Sequence, residues 1–235
     1  MIPKVIHYCW FGGNPIPKEY CRYMESWGRF MPDYEIKRWD ENNFDVQAYP
    51  FTRKAYATGK MAFVSDYARL KILYENGGVY FDTDVEVLKS IDPLLDKGGF
   101  MGFEKNTNAN AGDLLNVALG LGFAVEPKHP IIREIIEYYD THVDDELLTI
   151  VVITMKILRK HGLVQSETPS EIDGIVIYPW DYFCPIEFMG KKLEITSNTY
   201  TIHHYSASWM SRTDKLRMLK GYYANKIRKL LNIRR

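Results

Sequence analysis

Cysteine is scarce: three residues in 235 (Cys9, Cys21, Cys184), odd in number and without metal-ligand spacing. That excludes a disulfide framework or a cysteine-built zinc site and points to a reducing compartment, the cytoplasm. Net charge is absent, with 30 Lys and Arg against 30 Asp and Glu. No basic stripe or recognition motif lies outside the C-terminal tail, so nucleic acid is not an expected partner. There is no internal repeat and no low-complexity segment. The apolar run at the N-terminus is too short and too polar for a signal peptide or membrane span. What is present is 46% hydrophobic residues, enough for one buried core, and a high aromatic share of 14% that suits stacking on bases or sugars.

Residues 75–87 read ENGGVYFDTDVEV. Two carboxylates, Asp82 and Asp84, follow one short apolar run and precede another. In an extended strand residues i and i+2 share a face, so both would project together from a buried strand end. Anions held that close repel unless a cation lies between them. Hard divalent ions take carboxylate oxygen and share it with phosphate, so the pattern reads as a metal–diphosphate site. A turn or cap cluster is the bland alternative. A calcium loop is excluded because Val87 stands where that loop needs glycine.

Upstream, residues 60–74 carry apolar side chains at 63, 67, 70, 73 and 74, a helical spacing, and Gly77-Gly78 supplies the stop. Asp66 and Arg69 share one face of this helix, either as a surface ion pair or as a pair offered to a sugar hydroxyl. Residues 2–13 form a β-branched and aromatic run ending in Trp10-Phe11-Gly12-Gly13. Trp10 then sits at the C-terminal edge of a sheet, for stacking or as core filler. Near the other end, residues 201–209 read TIHHYSASW. Adjacent histidines on a strand face opposite ways, so at most one of His203 and His204 enters a site there. His7, His129, His142 and His161 lack ligand spacing and read as structural.

The expected order is strand 4–10, helix 18–30, strand 34–39, helices within 45–75, and strands 79–81, 85–87, 99–103 and 116–120. Helices near 130–140 and 146–160, strands 174–178 and 200–204, and a tail helix complete it. Alternation of this kind predicts an α/β class with a mixed sheet flanked by helices. The chain divides into a domain over 1–211 and a basic amphipathic helix over 212–235. That tail holds nine Lys or Arg against Asp214, about +8, leaving about −8 on the remainder. It either docks on the acidic domain or lies on anionic lipid at the inner face of the cytoplasmic membrane.

The sequence of motifs, IPKVIHYCWFGG, then ESWGRFMPDYEIKRWDENNFD, then AFVSDYARLKILYENGGVYFDTDVEVLK, IYPWDYFCP and TIHHYSASW, resembles the DXD-containing glycosyltransferases of the sugar-binding-motif family. The resemblance covers roughly residues 2–210. That family includes yeast initiating mannosyltransferases and bacterial capsule and polysaccharide enzymes; the clostridial glucosylating toxins share the motif order more distantly. The resemblance implies a GT-A fold, retention of configuration, Mn²⁺ or Mg²⁺, and a UDP-sugar donor whose hexose or N-acetylhexosamine passes to a saccharide or lipid-linked saccharide in surface polysaccharide synthesis. It implies that Asp82, Asp84 and His204 hold the metal and that Asp66 and Arg69 grip the donor hexose. Trp10 would stack on the base, and Phe11, Gly12, Thr83, Asn116 and Trp209 would complete the donor pocket. Asp144 and Asp145 have a sufficient role as the cap of a following helix. A nucleotide-sugar hydrolase and a non-catalytic carbohydrate-binding subunit are the alternatives.

Overall fold

The computed structural model describes residues 1–105, 115–142, 148–187 and 192–206, and in the tail positions 213, 216–217, 219–221 and 223–224. Its first half runs β1 (Val5–Cys9), α1 (Lys18–Phe30), β2 (Glu35–Trp39), α2 (Pro50–Ala57), α3 (Met61–Asn76), β3 (Gly78–Tyr80) and β4 (Val85–Val87). The second half runs α4 (Asp92–Leu95), β5 (Gly99–Gly102), β6 (Phe123–Val125), α5 (Pro130–Thr141), α6 (Ile150–Lys160), β7 (Ser170–Ile172), β8 (Ile175–Tyr178) and β9 (Thr201–His203). Seven strands form one sheet in the order β2-β1-β3-β6-β5-β8-β7, and β4 pairs with β9 in a separate two-stranded sheet.

Buried strands alternate their side chains between two cores, as the pleat requires. Tyr80, Met101, Ile175 and Ile177 face a core packed by α2, α3, α5 and α6. Val79, Phe100, Val176 and Tyr178 face a second core that holds Trp27 of α1 and Leu94 of α4. The central strands β3, β5, β6 and β8 are therefore covered on both sides and are buried throughout.

Within the large sheet β1 is parallel to β3, both β3 and β5 are antiparallel to β6, and β5 is parallel to β8. The C-terminal ends of β1, β3, β5 and β8 thus share one edge, where open α/β sheets bind ligands. Helix α3 delivers the chain to it. Buried over much of its length, it ends at Gly77, whose φ of 65° turns the chain directly into β3.

The small sheet is anchored from below. The Trp27 indole N–H donates to Val85 O at 2.8 Å, and the Ser26 hydroxyl accepts from Val87 N at 2.8 Å. Helix α1 thereby satisfies the edge of β4 that β9 leaves open, a buried pairing that would otherwise cost about 1–3 kcal/mol per orphaned group.

One expected strand needs correction. Residues 116–120 are no strand: Val117 makes a single bridge to Phe103, and Leu119–Leu121 form a 3-10 turn. The strand that follows is β6, and β7 also escapes the sequence pattern; both span only three residues. The boundary expected at 211/212 and most of the tail over 212–235 lie outside the described residues, as do Asp144 and Asp145.

His7 proves structural in a way that makes it a pH sensor of stability. It is buried in β1; its Nδ1 accepts from the Trp39 indole at 3.0 Å, so Nε2 carries the proton and donates to Gly77 O at 3.1 Å. Burial outweighs that hydrogen bond and pushes its pKa down to about 4. Because the folded value lies below the unfolded one of about 6.5, this stabilisation is complete above pH 6.5 and lost as pH falls through that value towards 4. The loss should reach about 3 kcal/mol. Replacing His7 with Gln should flatten the denaturant-melt stability curve across that window; an unchanged curve would refute the assignment.

Candidate active site

Asp82-Thr83-Asp84 connects the two sheets, and it is a turn rather than a strand end. Val85 N donates back to Asp82 O at 3.0 Å, and Thr83 is buried in the bend. The two carboxylates converge because the chain folds between β3 and β4, not because alternation places them on one face. Asp84 is fixed by β9 and the segment after it. Its carbonyl accepts from His204 N at 3.0 Å and its Oδ2 accepts from Ser206 N at 2.8 Å.

The histidine that joins them is His203. Its Nε2 lies 3.2 Å from Asp84 Oδ1 and 3.8 Å from Asp82 Oδ2. One ligand atom from each of the three residues falls within 4.8 Å of the others. His204, expected as the ligand, turns away: Nε2 meets Glu86 Oε2 at 2.9 Å and the ring stacks on Tyr23 with centroids 4.0 Å apart. The register His203↔Val85 sets the phase of β9 and so decides between the two.

Electrostatics bind the trio. Burial would lower His203, but the charges of Asp84 and Asp82 override it and raise the imidazole to about 10. Burial would likewise raise Asp84, yet His203 and the Ser206 amide hold it well below the usual carboxylate range. Two carboxylates thus require a positive partner here. Two oxygens and an imidazole nitrogen suit Mn²⁺ or a similar divalent ion, and among the described residues His203 Nδ1 has no hydrogen-bond partner.

The Asp66–Arg69 pair joins this group. Arg69 Nη2 lies 3.1 Å from Asp66 Oδ1 and 3.2 Å from Asp82 Oδ1, with the guanidinium over the Tyr80 ring at 4.6 Å. The Tyr80 hydroxyl donates to the same Asp82 oxygen at 3.1 Å. Burial pushes Asp66 up to about 6, against the opposing pull of Arg69. A surface ion pair is therefore ruled out; Arg69 is 6% exposed.

At the end of β1, Trp10 is half-buried, its indole N–H donating to Asn14 O at 2.6 Å and its ring edge-on to Tyr20. Gly12 N donates to Glu41 Oε1 at 2.6 Å. Phe11, expected beside the donor, is instead a core residue against Phe44. The Asn116 amide reaches Glu104 Oε1 at 2.9 Å. Trp209 lies outside the described residues.

Gly120 belongs to this site without any signal in local sequence. Its carbonyl accepts from Asp82 N at 3.4 Å, and a Cβ built on it would fall 2.3 Å from Asp82 Oδ2 and 3.5 Å from Arg69 Nη1. Only a residue without a side chain lets the Asp82 carboxylate lie against this turn.

Comparison with known proteins accords with this geometry. Residues 17–101 match the glycosyltransferase sugar-binding region containing DXD motif. Inositol phosphoceramide mannosyltransferase 3 of Schizosaccharomyces pombe is 35% identical over 40% of this chain and 27% of its own length. Inositol phosphoceramide mannosyltransferase 1 of the same yeast is 32% identical over 57% of this chain. The chain spans 42% of that second relative's length. An uncharacterized glycosyltransferase of Acanthamoeba polyphaga mimivirus is 24% identical over 96% of this chain and 90% of its own. The solved PaToxG glycosyltransferase superposes with a TM-score of 0.55 at 19% identity, over 68% of this chain and 69% of that one. The fold is GT-A, an α/β architecture with a mixed central sheet. Over residues 17–101 the chain carries the sugar-binding region of the DXD-containing glycosyltransferase family.

Proposed function

We propose that this chain is a metal-dependent glycosyltransferase that moves a hexose or N-acetylhexosamine from a nucleotide-sugar to a saccharide or lipid-linked saccharide acceptor with retention of configuration. One observation carries the reading: Asp82 and Asp84, inside the matched sugar-binding region, converge with His203 at the ligand-binding edge of the sheet. A divalent cation held there supplies charge neutralisation for a departing diphosphate. Arg69 fixes Asp82 from behind and neutralises part of its charge, while Asp66 offers a buried carboxylate to a hexose hydroxyl. Trp10 presents its exposed face to the base. Retention needs no protein nucleophile in a front-face substitution. The C1–O bond to phosphate breaks, the acceptor oxygen bonds C1 on the same face, and its proton passes to the departing phosphate oxygen.

UDP as the carrier and a role in surface polysaccharide synthesis rest on the sequence resemblance. The relatives named for mannose favour that sugar. Among the described residues no helix is long and apolar enough to cross a membrane. Peripheral contact through 212–235 with an anionic cytoplasmic membrane surface, in a protein of the cytoplasm, completes the proposal. The test is a screen of UDP-glucose, UDP-galactose, UDP-N-acetylglucosamine and GDP-mannose with Mn²⁺, reading released nucleotide. One donor should release nucleotide only with metal, and faster with a saccharide acceptor. Neither release nor binding of any of them would overturn the proposal.

A further inference from the structure

Glu104 lies at the ligand-binding edge, two residues after the end of β5. Across that edge the order is Trp10 after β1, Asp82 after β3, then β6, then Glu104. Two strand spacings separate β3 from β5, roughly 10 Å, about the reach from a diphosphate to the far side of a hexose or to a sugar bound against it. Glu104 is on the side of Asp82 away from Trp10, so a donor laid from base to sugar along this edge runs towards it.

Its surroundings hold a carboxylate ready to accept. Oε1 receives the Asn116 amide at 2.9 Å, and Oε2 receives the Tyr205 hydroxyl at 3.4 Å. Tyr205 in turn packs edge-on against His203, centroids 4.3 Å apart, tying Glu104 to the metal-binding trio. Among the described residues no cation pairs with Glu104; its neighbour Lys105 is committed to Glu194 at 2.5 Å and to the Trp180 ring at 4.1 Å. An ionised carboxylate offers about four acceptor positions. Among the described residues two are used, which leaves two for hydroxyl donors. A half-buried carboxylate oriented by neutral donors and left without a counter-charge is a poor device for stability and a good one for binding polyols.

We infer that Glu104, oriented by Asn116 and Tyr205, is a saccharide-binding residue that accepts hydrogen bonds from hexose hydroxyls. This rests on the proposed function and extends it to the far side of the site. The hexose belongs either to the donor or to the acceptor, and one substitution separates them. Glu104→Gln keeps size and one acceptor oxygen, so its melting temperature, Mn²⁺ affinity and affinity for UDP or GDP with Mn²⁺ should match wild type. For a donor contact, calorimetric affinity for the intact nucleotide-sugar should fall about tenfold or more, as for a site that loses a charged hydroxyl partner. For an acceptor contact, donor affinity and metal-dependent hydrolysis should persist while the KM for methyl α-mannoside or methyl α-glucoside acceptors rises by a similar factor. Unchanged donor-sugar affinity together with unchanged acceptor KM would overturn the inference while leaving the glycosyltransferase reading intact. Wild-type protein that binds no nucleotide with Mn²⁺ would overturn both.

Discussion

Asp84→Ala should abolish metal-dependent sugar transfer, lowering turnover on the order of a thousandfold, because it removes charge stabilisation where the leaving group develops its own. Asp84 is the member of the trio most tightly held, with its carbonyl and both carboxylate oxygens engaged. Truncation also leaves His203 beside Asp82 alone, at 3.8 Å, so the donor set for a cation loses its centre. Two readouts check it: steady-state nucleotide release, and Mn²⁺ binding followed by electron paramagnetic resonance with the metal alone. Wild-type turnover in the variant would place the chemistry elsewhere. His203→Ala should weaken Mn²⁺ binding in the same assay, whereas His204→Ala should leave it close to wild type, since His204 is occupied by Glu86 and Tyr23.

Gly120→Ala should be the most damaging single methyl group in the site. The added carbon would stand 2.3 Å from Asp82 Oδ2, so the carboxylate must swing away. Arg69 and Tyr80 follow, since both bond Asp82 Oδ1. The backbone at Gly120 does not have the positive φ that disfavours alanine, so the fold should tolerate the change. Mn²⁺ affinity and turnover should drop about ten- to a hundredfold with a melting temperature within a few degrees of wild type, as a misplacement near 1 Å can do. Gly122 is the contrast. It has a φ of 122° and a Cβ there would meet the Phe81 ring at 2.6 Å, so Gly122→Ala should lower stability itself. Equal metal binding by wild type and Gly120→Ala would end the argument for Gly120.

Local pattern carried much of this molecule. Helix α3, its glycine stop and the DXD turn are contiguous, and apolar spacing with Gly77 places them within a residue or two. Asp66 and Arg69 could be chosen together because i and i+3 share a helix face, although their link to Asp82 is a tertiary contact. What stayed hidden depends on pairing across the chain. Alternation says that one of two adjacent histidines faces inward, but which one follows from the register of β9 on a strand more than a hundred residues earlier. Gly120 has the same origin, its glycine demanded by a carboxylate 38 positions upstream. Phe11 enters the donor pocket only through the family resemblance, whereas its ring is buried in the core against Phe44. The strand expected at 116–120 was an apolar run that closes as a 3-10 turn and yields its pairing to β6.

The DXD turn is also the place where the backbone leaves one hydrogen-bonded sheet and enters another. Asp82 is carried by the seven-stranded body, while Asp84 and His203 ride on the β4–β9 pair that α1 grips through Trp27 and Ser26. The gap between the two acidic groups is therefore an aperture set by how one rigid piece is seated on another. Substitutions on the buried face of α1, well away from any substrate, act on that aperture as directly as changes beside it.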